Sequence, residues 1–254
     1  MLLHDQKLEQ ILGLLARQPY WTSIDLAQKL DMSRSTVQKC LQELHDAGLV
    51  ERIHGGVRRR DHLFSAPVSV DQRLTEDSTA KEKISAKAVE YLPEQGYIYI
   101  DAGTTTLPLA QKINDRSDKL VVVTNDITIA ATLAKKQVRH MLLGGQLHPV
   151  TQSISGPAAQ AQINDFQFDT CFISVDSVSP EGKLCSSISE ESMLKRHAIK
   201  LSQKRILLAA SKKFVKSSGS VICDLNDFNI WITEKTTAPI QKICKHASIK
   251  LIGA

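Results

Sequence analysis

Residues 31–48 read Asp31-Met32-Ser33-Arg34-Ser35-Thr36-Val37-Gln38-Lys39-Cys40-Leu41-Gln42-Glu43-Leu44-His45-Asp46-Ala47-Gly48. Val37, Leu41 and Leu44 recur at i, i+4 and i+7, which places them on one face of a helix. Ser33 stands where an N-cap is wanted, and Gly48 where a chain leaves a helix through a C′ glycine. The first turn and the opposite face then carry Ser33, Arg34, Ser35, Thr36, Gln38 and Lys39. Short hydroxyls and long donors at a helix N-terminus match phosphates and base edges in a major groove.

Upstream, Leu8, Ile11, Leu12 and Leu15 form another apolar stripe, ended by Pro19. A short second helix follows, with Ile24, Leu26, Ala27 and Leu30 as its apolar positions and Thr22 or Ser23 as its cap. Downstream, residues 49–58 read as two short strands around Gly55-Gly56. Helix, helix, tight turn, helix and hairpin is the order of a winged helix-turn-helix, assigned here to residues 1–60. Its wing brings Arg52, His54, Arg58, Arg59 and Arg60 toward the backbone or minor groove of double-stranded DNA.

Residues 61–78 mix Asp, Ser, Pro and Val without period and read as a linker. A helix is expected from about Thr79 to Leu92. Seven apolar runs then alternate with helical patterns: 97–101, 120–124, 138–143, 168–175, 205–210, 229–233 and 249–252. Such alternation makes a mostly parallel sheet, so the fold class is α/β, with 79–254 as a second domain. Ligands of such sheets sit at the carboxyl ends of strands. Those ends carry Asp101, Gly103, Thr104, Thr105 and Thr106; Asn125 and Asp126; Gly144 and Gly145; Asp176; and Lys212. A Gly followed by hydroxyls at a helix start is an anion cradle. Lys212 is expected to face that anion, and Lys213 to be a solvated neighbour.

Other chemistries lack their signatures. There is no Walker sequence and no GxGxxG, so no nucleotide cofactor is expected. The eight histidines are scattered and no ligand spacing appears, so no metal is expected. Five cysteines, none two or three residues apart, read as buried thiols. With 42% hydrophobic and 23% charged residues, the chain is expected to be globular. No apolar run approaches membrane length, and the N-terminus lacks a signal-peptide core, so a cytoplasmic protein without membrane contact is expected. A net charge of +5 is too mild to identify a partner.

Leu26-Ala27, Met32-Ser33, Ser35-Thr36-Val37, Leu41-Gln42-Glu43-Leu44, Gly48 and His54-Gly55-Gly56-Val57 resemble the DNA-binding head of the DeoR family of bacterial sugar-catabolism repressors. The C-terminal part resembles the same family's effector domain. The residues concerned are Asp101-Ala102-Gly103-Thr104-Thr105, Thr124-Asn125, Leu143-Gly144-Gly145, Gly156, Phe168-Asp169, Val175-Asp176, Glu181-Gly182 and Ser211-Lys212-Lys213-Phe214. Arg73 and Lys81 match an Arg and a Lys that lead into that domain. The resemblance implies a fold like that of ribose-5-phosphate isomerase and release from an operator by a phosphorylated sugar. A homo-oligomer, dimer or higher, suits half-site recognition.

The family usually reads Thr-Ile-Arg-Arg-Asp-Leu where this chain has Thr36-Val37-Gln38-Lys39-Cys40-Leu41, which bears on the operator sequence. Ser174 and Ser177 replace frequent glycines, which bears on the ligand. An isomerase is the alternative class. Asp176 matches that enzyme's first acid, but Ser179 and Pro180 stand where further acids belong, so an enzyme is not expected.

Overall fold

The computed structural model describes residues 4–18, 20–46, 49–53, 56–59, 70–114, 119–215 and 219–254. The chain divides into two compact units, Met1–Ala66 and Pro67–Ala254.

The first unit contains α1 (His4–Arg17), β1 (Tyr20–Thr22), α2 (Ser23–Lys29), α3 (Arg34–Asp46), β2 (Val50–Ile53) and β3 (Gly56–Arg59). Its core joins Ile11 and Leu15 of α1, Leu26 and Ala27 of α2, Val37, Cys40, Leu41 and Leu44 of α3, and Val50 and Val57 of the hairpin. The apolar spacing in α1 and α3 thus becomes burial. Thr22 caps α2, accepting from the Asp25 amide at 3.0 Å. Cys40 lies in the core beside Leu41 and Leu44, where a buried thiol behaves as a small hydrophobe.

The wing sheet has three strands, in the order β1-β3-β2, against the two expected. Residues 20–22 are too short to show a period, but they pair antiparallel with 56–58. Gly56 permits this pairing: a Cβ there would stand 2.6 Å from the Trp21 carbonyl oxygen. His54, Gly55, Pro19 and Gly48 lie outside the described residues.

The second unit begins with α4 (Val70–Thr75) and α5 (Ser78–Ala88). There follow β4 (Gly96–Ile100), α6 (Leu107–Lys112), β5 (Leu120–Thr124), α7 (Ile127–Lys135), β6 (His140–Leu142), β7 (Gln146–His148), β8 (Ser153–Ser155), α8 (Pro157–Ile163) and β9 (Phe168–Ile173). The chain continues through β10 (Ser177–Val178), β11 (Lys183–Ser186), α9 (Ser189–Lys200), β12 (Ser202–Leu208), β13 (Ser220–Asp224), β14 (Ile230–Thr233), α10 (Ala238–His246) and β15 (Lys250–Gly253). The seven expected strands form one parallel sheet, in the order β15-β14-β12-β9-β4-β5-β6. A β7–β8 hairpin and an antiparallel β10-β11-β13 sheet were not legible as periodic runs. The expected linker is corrected in part: 61–69 lies outside the described residues, but 70–75 is α4.

Period-two alternation splits the core between the two faces of the sheet. Tyr99, Val123, Cys171, Ile173, Leu207 and Trp231 face one way, toward α8, α9 and α10. Ile98, Ile100, Val122, Phe172, Ile206, Leu208, Ile230 and Ile232 face the other, toward α5, α6 and α7.

The strand order reverses between β4 and β9. From β4 the chain crosses to β5 on one side; from β9 it crosses to β12 on the other. The two helical crossovers diverge there and leave a crevice above the carboxyl ends of β4 and β9, the topological switch point where ligands of open α/β sheets bind.

Candidate functional site

In the first unit, Ser33 caps α3, its hydroxyl accepting from the Thr36 amide at 3.1 Å. Ser33, Arg34, Ser35 and Lys39 are exposed; Thr36 is half-buried. Gln38, expected on the free face, is engaged within the unit. Its Nε2 donates to Ser23 Oγ at 3.1 Å, and its Oε1 accepts from Arg52 Nη2 at 2.5 Å. Arg52 also donates to Gln42 Oε1 at 2.7 Å. Arg52 of the wing and α3 are therefore tied through two amides, Gln38 and Gln42, and base reading by Gln38 would first have to break that network. Arg58 and Arg59 lie on β3; His54 and Arg60 lie outside the described residues. Ser33→Ala removes the cap and should cost about 1 kcal/mol in a denaturant titration of the full chain, read on the transition of this unit.

In the second unit, a cavity of about 250 Å³ occupies the crevice. The end of β4 contributes Ala102, Gly103 and Thr104, and the end of β9 contributes Ser174, Val175 and Asp176. Five cationic side chains line it: Arg73, Lys81, Lys195, Lys212 and Lys213. Glu76 and Glu191 add carboxylates, and Thr151 and Ser186 add hydroxyls.

A buried charge cluster forms part of the wall. Lys195 Nζ pairs with Asp101 Oδ2, and the two side chains are 5% and 1% exposed. The Ser174 amide also donates to Asp101 Oδ2, at 3.1 Å. Burial raises the Asp101 carboxyl to about 6 despite that ammonium. Burial alone would lower Lys195, but Asp101 and Glu191 more than offset it and hold its ammonium above the ordinary value. Glu191 accepts from Thr151 Oγ1 at 2.9 Å and from Ser153 Oγ at 2.5 Å.

Lys213 reaches inward. Its Nζ donates to the Val175 carbonyl at 2.5 Å and to Ser174 Oγ at 3.3 Å. Burial lowers its pKa to about 8 even with Asp176 nearby. Burial pushes the Asp176 carboxyl upward, but Lys213 and the amide and hydroxyl of Ser187 outweigh this and hold it below its usual range. Lys212 also lines the cavity, but it is 53% exposed and its ammonium pairs with Asp77, with Glu76 at 3.7 Å. The expectation of a solvated Lys213 is thus corrected, while Lys212 lines the cavity with its ammonium already paired.

Among the described residues, two buried side-chain polar atoms lack a partner, Arg73 Nε and Asp101 Oδ1. Arg73 lines the cavity, and Asp101 is bonded to two of the residues that do.

The five strand ends do not all converge. Asn125 is spent on structure: its Oδ1 accepts from Tyr99 at 2.9 Å and from the Ala102 amide at 3.0 Å, while Nδ2 donates to the Ile154 carbonyl. Asp126 caps α7 through the Thr128 and Ile129 amides. The Gly144 amide donates to Gln162 Oε1, and Gly145 takes a φ of 152° against the Ser155 carbonyl. The Thr106 hydroxyl turns back to the carbonyls of Asp101 and Gly103. None of these, nor Thr105, is among the lining residues. For Asn125, Asp126, Gly144 and Gly145 the physical reason is strand order, since β5 and β6 lie to one side of the switch point, whereas Thr106 is held by bonds within its own loop.

Glu191 and Lys195 went unread in the sequence although a signal exists. They stand at i and i+4 in register with Leu194 and Ala198, on the inward side of α9, where uncompensated charge is costly. Ser179, at the position of a missing isomerase acid, accepts from the Glu181 and Lys183 amides and holds a turn.

The profile of the DeoR-like helix-turn-helix domain matches residues 7–62, and that of the DeoR C terminal sensor domain matches residues 76–235. The chain is 33% identical over 231 residues to an uncharacterized HTH-type transcriptional regulator of Haemophilus influenzae, covering 91% of this chain and 89% of that one. It is 29% identical over 231 residues to the lactose phosphotransferase system repressor of Staphylococcus epidermidis, covering 90% and 91%. It is 28% identical over 211 residues to the regulator GlpR of Haloferax volcanii, covering 83% and 82%. Among solved structures, ribose 5-phosphate isomerase A of Neisseria gonorrhoeae is similar over 54% of this chain and 53% of that chain, at 18% identity and a TM-score of 0.40.

Proposed function

Since the chain belongs to the DeoR family of helix-turn-helix transcriptional regulators, we propose that it represses a carbohydrate-catabolism operon and leaves its operator when a phosphorylated sugar fills the cavity between β4 and β9. The cavity itself carries this reading. Arg73, Lys81 and Lys213 gather positive charge around a space of about 250 Å³, and one buried guanidinium nitrogen has no acceptor. A phosphate supplies the missing acceptor. Thr104, Ser174 and Glu191 offer hydroxyl and carboxylate partners for a polyol. Named relatives include a repressor of a lactose phosphotransferase system. The protein is proposed to act in the cytoplasm as a dimer or higher oligomer, with Ser33, Arg34, Ser35, Thr36 and Lys39 at the DNA and the wing arginines on the backbone. No described helix is long and apolar enough to cross a membrane.

The test is a fluorescence-anisotropy titration of a duplex selected from random sequence by the protein itself, repeated across a panel of pentose, hexose and triose phosphates. At least one should release the duplex, and the free sugars should not. Failure of every sugar phosphate, with DNA binding intact, overturns the effector reading. Turnover of any of them in a coupled isomerase assay overturns the non-enzymatic one.

Gly103 gives a local check. A Cβ there would stand 3.4 Å from Ser174 Cβ, an ordinary contact, so alanine fits. The extra methyls of valine enter the crevice. Gly103→Ala should respond to effector within a few-fold of wild type, and Gly103→Val should bind DNA yet ignore effector. An unaltered response in Gly103→Val removes this loop from the site.

A further inference from the structure

Charge holds the segment around α4 against the cavity at three places. Arg73 reaches toward Asp176 at the end of β9, with Nη1 3.9 Å from Oδ1. The Arg73 carbonyl accepts from Lys81 Nζ. Just past α4, Asp77 and Glu76 hold Lys212 Nζ. Arg73, Glu76, Lys81 and Lys212 also line the cavity, so this segment is part of its wall.

The three contacts are unequal. The carboxylates at 76 and 77 give Lys212 close partners, and Lys81 has the carbonyl. Arg73 is poorly served: 3.9 Å lies beyond hydrogen-bond reach, and its Nε is buried without an acceptor. No other side-chain nitrogen among the described residues is in that state. Asp176, the nominal partner, is already engaged by the Ser187 amide and hydroxyl, each at 2.8 Å. A planar fork with an idle edge, set in a cavity wall, is matched by an anion that offers two oxygens at once.

Resting on the cavity reading above, we propose that Arg73 is the residue through which occupancy reaches the rest of the chain. An anion in the cavity takes its Nε and Nη edge, draws the guanidinium off Asp176 and resets α4. This helix is the first described element after residues 60–69, through which the chain runs from the DNA-binding unit. A ligand shifts an equilibrium only by bonding differently in its two states. Arg73 supplies that difference, with a distant carboxylate in one state and a bidentate anion in the other. Lys212 with Asp77 and Glu76 acts as the hinge pin that keeps the segment on the rim in both.

Hydrogen exchange on the full chain, read by mass spectrometry with and without inorganic phosphate, tests this. Peptides covering 101–106 and 211–213 report on the cavity, and peptides covering 70–77 report on α4. In wild type both sets should slow on adding phosphate, α4 by roughly tenfold, or about 1.4 kcal/mol. In Arg73→Gln the cavity peptides should still respond, at higher phosphate, while the α4 peptides do not. Asp77→Asn is the second variant. Residue 77 has a φ of 50°, which asparagine tolerates, so the change removes charge without straining the backbone. There, basal exchange in 70–77 should rise and the cavity response should persist. A cavity response with an unmoved α4 in wild type, an α4 response that survives Arg73→Gln, or wild-type α4 exchange in Asp77→Asn each overturns the latch while leaving the cavity reading intact. Cavity peptides that ignore saturating phosphate in every protein overturn the cavity reading, and the latch with it.

Discussion

Lys195→Met should cost the protein about 3–5 kcal/mol at neutral pH, because it strands the buried Asp101 carboxylate without its ammonium. Much of a domain's marginal stability lies in that range. Urea unfolding followed by circular dichroism measures it. The pH dependence is a second signature. In wild type Asp101 titrates at about 6, above its unfolded value, so its proton costs the fold stability as pH rises toward 6 and nothing further above it. In the variant the unpaired carboxyl keeps its proton to higher pH and gives it up only on unfolding. Stability should therefore keep falling between pH 6 and 7.5, by about 1.4 kcal/mol per unit, where Asp101 adds no further change in wild type. Adding Asp101→Asn should recover most of the loss. A Lys195→Met protein as stable as wild type at pH 7.5 would show that the cluster carries no paired charge.

Lys213→Met should raise the effector concentration needed for release by roughly 10- to 100-fold, the worth of one charge-assisted hydrogen bond to a phosphate. Lys212→Met should shift it only a few-fold, since that ammonium is already taken by Asp77. Calorimetry with the sugar phosphate that releases the duplex measures both. The depressed Lys213 value adds a pH prediction. A lysine titrating at about 8 loses its charge across the range where an ordinary lysine keeps it. Effector affinity should therefore fall as pH rises from 7 to 9, by up to about tenfold. Lys213→Arg, charged throughout, should flatten that fall. Equal effects of the two methionine variants would contradict the different engagement of the two ammonium groups.

The second of these predictions corrects what the sequence offered, and the reason is local. Ser211-Lys212-Lys213 is one tight turn of 3-10 helix, and adjacent residues on such a turn leave it in different directions. No composition or spacing argument distinguishes two neighbouring lysines. By contrast, the sheet strands were legible from their apolar runs, such as Leu120–Val123, as central strands covered on both faces require. Their lateral order was not legible, and the order decides the site. It sets β4 beside β9 and sends β5 and β6 outward, so Asn125, Asp126, Gly144 and Gly145 became scaffold. In the first unit, periodicity located α1 and α3 and the caps located α2, but the short β1 has no period to read. Gln38 looked free for the same kind of reason: its partners Ser23 and Arg52 are fifteen residues before it and fourteen after it, and pairing at that distance leaves no mark in the pattern.

The adjacency of β4 and β9 also sets a timetable for making the protein. Asp169, which receives the Tyr97 amide across that pair, is seventy-two residues further along the chain, and Lys195 is ninety-four residues beyond Asp101. At roughly 5–20 residues per second on a ribosome, the loop at 101–106 waits several seconds for its opposite wall. Its closure is a long-range step of the kind that slows parallel sheets. The helix-turn-helix unit needs only local contacts from the first 66 residues and can be complete by then. A newborn copy therefore completes its helix-turn-helix unit before it completes the cavity between β4 and β9.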